Sequence, residues 1–224
     1  MPESVHVHAP HELSESSEAN GGHERLREIV AVVLMSLSTV AIAWSGYQAA
    51  RWSGLQAEAF AEASGDRAQA ARAETIAEEE RLEDLTNFNL WLEHSTRGDE
   101  ELADLYERRF RAEFVPAFEA WLELDPLNNP DVEASPLLLP EYQLAEEELS
   151  LELEREADAM FAEGKDATET ADRYIFTTVF LAGVLFFAGV SMRFAWMPAR
   201  VMVLILAGVF LTIGIGEMVT LPTR

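Results

Sequence analysis

An uncharged apolar stretch near the start of the chain limits the folds open to this sequence more than any other feature. Residues 29–50 contain no Asp, Glu, Lys or Arg. A helix rises about 1.5 Å per residue and the hydrocarbon core of a bilayer is about 30 Å thick, so this stretch is long enough to cross it. The sequence therefore predicts a first transmembrane helix over 26–50, which continues at its far end into a helix outside the bilayer.

Two further apolar runs lie near the end of the sequence. They predict transmembrane helices over 174–193 and 200–220, joined as a tight hairpin by a short turn. Glu217 is the one ionisable residue within the apolar part of these runs. A carboxylate in a membrane span is costly and often functional. Two interpretations stay open: Glu217 reaches the interface in a structural role, or it takes part in ion or proton movement.

The segment between the first and second spans is strongly acidic. Residues 51–173 hold 33 Asp or Glu and 11 Lys or Arg, a net charge of −22 out of −24 for the chain. Helices are predicted at about 51–97, 100–124 and 141–170, with a proline-rich connection at 125–140. The predicted fold class is all-α: an integral membrane protein with three transmembrane helices and an acidic antiparallel helical-bundle insert.

Local signals predict where the helices of the insert begin and end. Gly98 has the place of a helix C-terminal glycine, and Asp99 that of the next N-cap. Pro116 predicts a kink or break in the second helix, because it lacks a backbone donor. Gly164 predicts an interruption, after which either a fresh helix begins with Asp166 as its cap or the helix continues into the membrane.

The first insert helix is predicted to be amphipathic. Its stripe consists of Leu82, Leu85, Asn89 and Leu92 at helical spacing, joined by Phe88 and Trp91. Residues 1–25 are rich in Ser, Glu, His and Gly and predict a disordered tail. Its four histidines are only a weak compositional hint of metal binding: His6, His8, His11 and His23.

The best-defined local pattern lies where the first span ends. It combines aromatic and polar side chains: Trp44, Tyr47, Gln48, Arg51 and Trp52. Trp and Tyr favour the membrane–water interface, so the pattern predicts an interfacial anchor. A second interpretation pairs Arg51 with a carboxylate of the returning helix, such as Asp172. With Arg193 and Glu217, these residues are the candidate interfacial and structural positions.

Arginines beside the spans predict the orientation. With three spans, Arg25, Arg27, Arg193 and Arg200 all fall on one side of the membrane. Short basic segments stay in the cytoplasm, whereas long loops cross largely regardless of charge. We therefore predict a multi-pass protein of the inner (plasma) membrane, with its N-terminus cytoplasmic and residues 51–173 extracytoplasmic.

The sequence offers little for catalysis. It has no cysteine, which excludes disulfides, thiol catalysis and Cys-based zinc sites. HExxH, GxSxG and P-loop motifs do not occur. A di-iron bundle needs Glu-x-x-His on two helices, and the insert holds a single histidine, His94. We expect a non-enzymatic protein with no catalytic residues, no cofactor and no metal site.

Three stretches carry a family resemblance: AWSGYQAARWSGLQA at 43–57, FEAWLELDP at 118–126, and the segment from MFAEGKDATETADRY to FAGVSMRF at 160–194. In these stretches and in their order the chain resembles an uncharacterised family of bacterial three-span membrane proteins. The resemblance implies one span, a helical insert and a two-span hairpin. It implies no activity, substrate or catalytic residue.

Two functions fit these patterns. The first is a non-enzymatic membrane protein that mediates protein–protein contacts or assembly at the cell envelope. The second is an oligomeric cation-conducting or transport-associated protein whose acidic insert forms a vestibule, since acidic surfaces concentrate cations. The expected partners are the lipid bilayer and either further copies of the chain or another membrane protein. Nucleic acid is not expected, because its phosphates need Lys and Arg.

Overall fold

The protein is all-helical over the part of the chain that the structure describes. The computed structural model describes residues 10–129 and 131–224, with side chains from Glu24 onward. The elements are α1 (Pro10–Arg97), α2 (Glu100–Glu107), α3 (Val115–Glu123), a 3-10 turn (Pro136–Leu138), α4 (Ala145–Ser191) and α5 (Met197–Thr220). Helices α1, α4 and α5 are each long and apolar enough to cross a membrane. The fold class predicted from the sequence is confirmed.

The chain forms two compact units. Met1–Ala57 and Gly164–Arg224 make up the first, which we call the apolar unit. Glu58–Glu163 makes up the second, the acidic unit. Helices α1 and α4 contribute residues to both units, so the predicted first span and first insert helix belong to one continuous helix.

Small side chains let the helices of the apolar unit pack closely. Ser38 and Ser45 of α1 are completely buried. On α4, a Cβ added to Gly183 would lie 2.7 Å from the Phe210 ring of α5, too close for any side chain without movement of that ring. Close approach through small residues is the usual way in which membrane helices associate.

Contacts join the three helices at both ends of the apolar unit. At one end, Nη1 of Arg27 lies 2.9 Å from Sδ of Met197, and residues 192–196 connect α4 to α5. We call this the hairpin end. At the other end, residues 221–224 follow α5 and pack against α1 and α4. We call these residues the strap and this region the strap end.

A row of alanines brings α1 and α4 together in the acidic unit. The buried positions are Ala59, Ala63, Ala70, Ala73, Ala77 and Ala157, which we call the alanine seam. Ion pairs between the helices flank it, Arg67 with Asp158 at 3.0 Å and Arg81 with Glu147 at 2.7 Å. Alanine suits this arrangement because it has the highest helix propensity and leaves little between two backbones.

Aromatic rings fill the rest of the core of the acidic unit. The aromatic cluster consists of Phe88, Trp91, Phe110, Phe114, Phe118 and Trp121. Phe88 and Trp121 meet edge to face with ring centroids 5.1 Å apart, and Trp91 and Phe118 do so at 4.7 Å. Each such pair adds about 0.5–1.5 kcal/mol beyond burial of its area. With Ala103 and Tyr106 of α2 packed against it, the cluster holds α2 and α3 against α1.

The predicted helix 100–124 consists of two helices. Helix α2 ends at Glu107, and α3 begins at Val115 with Pro116 in its first turn. Proline is favourable there because the backbone donor it lacks would have no helical partner. The break thus lies before Pro116, in residues 108–114 between the two helices. Gly98 ends α1 with a φ of 77°, in the left-handed region that glycine tolerates.

The third insert helix differs from the prediction at both ends. Helix α4 begins at Ala145 rather than at 141, and it continues to Ser191. Of the two alternatives at Gly164, the uninterrupted helix is therefore the one observed, and Asp166 caps no new helix. Helix propensity over the surrounding Ala- and Glu-rich segment outweighs a single glycine, which costs about 1 kcal/mol.

The amphipathic stripe predicted on α1 is buried only in part. Phe88 and Trp91 are buried and Leu92 packs against their cluster, whereas Leu82 and Leu85 are 64% and 38% exposed. Asp84, which the predicted stripe did not include, is completely buried. The alanine seam sets the register: Ala70, Ala77, Asp84 and Trp91 follow one another at intervals of seven residues, and all are buried. Two helices that pack through alanines bury the line of residues where their backbones are closest. Leu82 and Leu85 lie beside that line on α1 and therefore stay exposed.

Part of the predicted N-terminal tail is helical. Helix α1 begins at Pro10 and so includes residues 10–25, while residues 1–9 lie outside the described part of the chain. His6 and His8 fall in that outside part, as do the side chains of His11 and His23. The metal hint of these histidines stays a prediction from composition.

Candidate functional site

The strap binds two helices at once. The Pro222 carbonyl oxygen accepts hydrogen bonds from Trp52 Nε1 of α1 and from the Tyr174 hydroxyl of α4, each at 3.1 Å. The backbone N–H of Arg224 donates to Gln48 Oε1 at 3.1 Å, and its guanidinium lies 5.0 Å from the centroid of the Trp52 ring. Each hydrogen bond is worth about 1 kcal/mol net. The strap thus fastens the strap end of all three helices.

Two of the predicted interfacial residues belong to this cluster. Gln48 and Trp52 are buried, 1% and 8% exposed. Trp44 and Tyr47 are exposed instead, and their rings lie 5.9 Å apart on the outer surface of α1. Trp and Tyr favour the membrane–water interface, so the interfacial anchor stays a prediction for these two exposed rings. The sequence pattern thus divides into residues buried in the bundle and residues on its outer surface.

The predicted pair of Arg51 with Asp172 does not form. Both side chains are exposed, and neither makes an ion pair in the described part of the chain. The neighbouring Arg173 pairs with Glu217 at 3.1 Å, with about half of each side chain exposed. A one-residue step along a helix turns the side chain by about 100°, which is enough to exchange the partners. Exposed pairs of this kind contribute about 0–1 kcal/mol.

The acidic unit contains a buried charged cluster that sequence reasoning missed. Asp84 is fully buried, and its Oδ2 accepts hydrogen bonds from Arg111 Nη1 at 3.1 Å and from the Tyr142 hydroxyl at 3.0 Å. Its Oδ1 is buried without a partner among the described atoms. Arg111 also contacts Glu80 at 2.9 Å and Glu113 at 3.5 Å. We call Asp84, Arg111 and Tyr142 the Asp84 cluster.

Burial controls the ionisation of this cluster. Desolvation raises the pKa of Asp84, although the Tyr142 hydrogen bond and the Arg111 charge oppose the rise. The pKa of Tyr142 is also raised, by burial first and then by the negative charge and hydrogen bond of Asp84. Tyr142 therefore stays a neutral donor, and Asp84 is the member of the cluster that can change its charge.

The three members come from separate segments of the chain. Asp84 lies on α1, Arg111 in the link between α2 and α3, and Tyr142 shortly before α4. The cluster therefore ties the aromatic cluster to the helices of the alanine seam. One signal could have revealed it: Asp84 is the one charged residue in a series of buried positions spaced seven residues apart, which otherwise holds Ala70, Ala77 and Trp91. Arg111 and Tyr142 gave no such signal, since arginine is mostly exposed in proteins and tyrosine is intermediate in burial.

The hairpin end carries the basic side chains used to predict orientation. Arg200 is buried to 91% of its side chain and lies 3.6 Å from Glu24 and 4.0 Å from Glu28. Its Nε is buried without a partner among the described atoms. Arg27 lies against Met197, and Arg193 is exposed in the turn between α4 and α5. The arginines of α1 and of the hairpin therefore share one end of the apolar unit.

Among the described residues, no group of three or more His, Asp or Glu is placed to hold a metal ion. His94 stacks on Tyr106 with centroids 5.6 Å apart, and its Nδ1 lies 3.5 Å from Asp99. Asp84 is closed off from solvent, so no substrate reaches it in this conformation.

The fold and these sites define a class: an all-helical protein with three helices able to cross a membrane and an acidic helical unit. Comparison of the chain with known protein families, curated proteins and solved structures finds no match. The resemblance to a bacterial three-span family stays an expectation from the sequence. The function has to be inferred from the geometry.

Proposed function

We propose that this protein is a non-enzymatic, multi-pass protein of a bacterial plasma membrane whose acidic unit binds another protein. The observation that carries the proposal is a group of exposed leucines in the acidic unit. They are Leu122, Leu124, Leu127 and Leu138, exposed by 42%, 46%, 61% and 62%. We call them the leucine patch. Leu122 lies on α3, and Leu138 lies on the 3-10 turn that packs against α3. Groups of exposed apolar side chains among polar ones are typical of interaction sites.

Contacts hold the backbone beside Leu122 and Leu138, the first and last members of the leucine patch. Trp121, next to Leu122, is buried in the aromatic cluster and donates from Nε1 to the Glu133 carbonyl at 2.7 Å. The 3-10 turn that carries Leu138 packs against α3. A patch on fixed backbone loses little conformational entropy on binding, which favours affinity.

Charge around the patch defines the kind of partner. Glu119, Glu123 and Asp125 lie on and just after α3, and Asp131 and Glu133 follow in the connection. The partner we propose presents an apolar pocket with a basic rim, because complementary charge steers association and discriminates among partners. A second copy of this acidic unit has the wrong charge for this role, so a different membrane or envelope protein is the better candidate.

The membrane placement rests on the apolar unit. Its helices expose apolar side chains outward, including Val40, Ile205 and Val219 at 70%, 63% and 74%. Exposed apolar surface of this extent is stable in lipid and unfavourable in water. The contact of Arg27 with Met197 at the start of α5 supports the prediction that the arginines of α1 and of the hairpin lie on one side of the membrane. By the positive-inside rule we place that side in the cytoplasm and the acidic unit outside.

The alternative, an oligomeric cation-conducting protein, has less support. It needs carboxylates free to line a pore mouth, and Glu217 was the candidate in the apolar runs. Glu217 contacts Arg173 at 3.1 Å, so its charge is already balanced. An oligomer would also need an extensive contact between copies. The exposed face of α5 is available for one, but no other feature of the described residues supports it.

Site-specific photocrosslinking in intact cells tests the proposal. A photoreactive amino acid is placed at Leu127, in a second variant at Leu124, and in a matched control at Leu82, which is similarly exposed (64%) on α1. We expect an adduct at 127 and none at 82. An adduct that adds 25.0 kDa, the mass of the chain, indicates a second copy. Absence of any adduct at 127 and 124, or equal yields at 127 and 82, refutes the leucine patch as a binding surface.

A further inference from the structure

We propose that the acidic unit binds a linear polyamine in a groove between α1 and α4, with ammonium groups of the ligand at Glu74 and Glu154. A polyamine is a flexible hydrocarbon chain that carries two or more ammonium groups. The site shares no residue with the leucine patch, and it requires neither a membrane nor a second protein. It therefore goes beyond the proposed function.

Both helices contribute walls to the groove, which has two adjoining stretches. The wider stretch has a volume of about 350 Å³ and is lined by Arg67, Ala71 and Glu74 of α1 and by Glu154 and Asp158 of α4. The narrower stretch, about 120 Å³, continues to Arg81 and shares Glu74 and Glu154 as lining residues. From Arg67 to Arg81 the helix rises about 21 Å. The groove is therefore long and narrow, a shape that suits an extended chain.

The row of ion pairs along this groove has a gap at its middle. Arg67 and Arg81 each bridge from α1 to a carboxylate of α4, at 3.0 Å and 2.7 Å. Glu74 lies halfway between these arginines, so helical spacing places it on the same side of α1. The residue that shares the groove with it on α4 is Glu154, a second carboxylate. Neither glutamate makes an ion pair with a side chain that the structure describes. A cation between them would turn repulsion into attraction.

A buried hydroxyl in the narrower stretch also lacks a protein partner. Ser150 of α4 is 6% exposed and lines this stretch. Its hydroxyl makes no hydrogen bond within the described part of the chain, whereas Thr75 and Thr168 of the same two helices donate to the carbonyl four residues earlier. Buried polar groups normally have a hydrogen-bond partner. The free oxygen of Ser150 therefore points to a ligand that donates to it, which an ammonium group can do.

The lining of the groove selects an organic cation with several charges. Five carboxylates and two arginines line it, which leaves a net charge of −3. Between the charges lie Ala71, Ala77 and Leu151, whose apolar surface suits the methylene segments of a polyamine. A metal ion is a poorer fit, because no group of three or more His, Asp or Glu among the described residues is placed to hold one. A peptide is also a poorer fit, because alanine side chains offer no hydrogen-bond partner to its backbone.

Isothermal titration calorimetry of the full chain in mild detergent tests the site, with spermidine as the probe at constant ionic strength. The comparison ligands are butylamine, which has a single ammonium group, magnesium chloride, and trilysine as a basic peptide. We expect spermidine to bind about tenfold or more tightly than each of them, because it alone brings several ammonium groups on a bare hydrocarbon chain. Equal or tighter binding of magnesium or of trilysine overturns the polyamine in favour of that ligand.

Two matched pairs of variants locate the ligand. Glu154→Gln should weaken spermidine binding about tenfold, the effect of one charge-assisted hydrogen bond. Glu152→Gln removes the same charge from the exposed surface of α4 outside the groove and should change the affinity by less than about twofold. Glu74→Arg places a guanidinium opposite Glu154 and should abolish binding. Glu79→Arg makes the same change of charge at an exposed position outside the groove and should keep the affinity within about threefold.

The buried hydroxyl gives a third test, since Ser150→Ala should weaken spermidine binding about threefold or more. Circular dichroism checks that all five variants keep their helix content. Equal weakening in Glu154→Gln and Glu152→Gln would show that spermidine is only a counterion of the acidic surface, and it would overturn the site. Unchanged binding in Glu74→Arg or in Ser150→Ala would overturn the placement of the ligand in the groove. The leucine patch is tested separately by crosslinking at Leu127, so either conclusion can fail without the other.

Discussion

Replacement of Asp84 by alanine tests the central interaction of the acidic unit. Asp84 accepts hydrogen bonds from Arg111 and Tyr142 inside a fully buried site. Asp84→Ala leaves the Arg111 guanidinium, 15% exposed, without its buried partner, and leaves the Tyr142 hydroxyl without an acceptor. We therefore expect the aromatic cluster to open more readily from the helices of the alanine seam.

The structure bounds the size of the effect. Breaking a buried ion pair by removal of one partner costs about 3–5 kcal/mol. Here Arg111 keeps Glu80 at 2.9 Å, and it is not completely buried, so part of that cost is avoided. We expect a loss of about 2–4 kcal/mol in the opening free energy of this region. At about 1.4 kcal/mol per factor of ten, this corresponds to an equilibrium constant for opening that is about 30 to 700 times larger.

Hydrogen exchange followed by mass spectrometry on the full chain measures this opening locally. Peptides that cover Phe110–Trp121 should exchange faster in Asp84→Ala by the stated factor. Glu83→Ala, an exposed carboxylate one residue away, is the control and should change exchange by no more than about twofold. Exchange of Phe110–Trp121 in Asp84→Ala within threefold of wild type would refute the clamping role of the cluster.

Two further predictions follow from particular contacts. Burial raises the pKa of Asp84, so the folded acidic unit holds this proton more tightly than the open chain does. As the pH falls from the raised pKa toward the ordinary Asp value near 3.9, Phe110–Trp121 should become better protected from hydrogen exchange in wild type, relative to the non-titrating Asp84→Asn. This gain in protection should disappear as the pH rises again. Loss of protection on acidification, relative to that variant, would contradict the sign. In the apolar unit, Gly183→Ala places a Cβ 2.7 Å from the Phe210 ring and should cost about 1–3 kcal/mol, seen as a lower Tm in detergent, whereas Gly189→Ala meets nothing within 4 Å and should not lower Tm. Equal Tm values for the two would show that the contact yields without strain.

The sequence predicted the elements of this fold well because its strongest signals are long. An uncharged run such as 29–50 allows few structures, and two further long apolar runs at 174–193 and 200–220 repeat the signal. The helix register inside the insert was less accessible. Leu82 and Leu85 suggested one face of α1, but the alanine seam buries another, because alanines carry little hydrophobic signal and act through backbone proximity.

The sites were predicted in part for a related reason. Trp52 and Gln48 drew attention through their own chemistry, and both lie in the cluster that the strap completes. The strap residues themselves gave no signal, since Pro222 acts through its carbonyl oxygen, which every residue possesses. Arg51 was paired with Asp172 on approximate height along two helices, whereas ion pairing also depends on rotation about each helix axis.

A buried carboxylate at position 84 suggests that register matters as much as stability in the acidic unit. On α1, Ala63, Ala70 and Ala77 are spaced seven residues apart, so a shift of α4 by one such interval would again place Ala157 beside an alanine. The hydrogen bond of Asp84 to Tyr142, three residues before α4, opposes that shift because it forms in one register only. A buried polar residue that fixes register is the best-attested use of such groups. The exchange experiment distinguishes the two roles: a loss of register in Asp84→Ala would spread fast exchange to the seam at 59–77, whereas a purely local opening would stay at Phe110–Trp121.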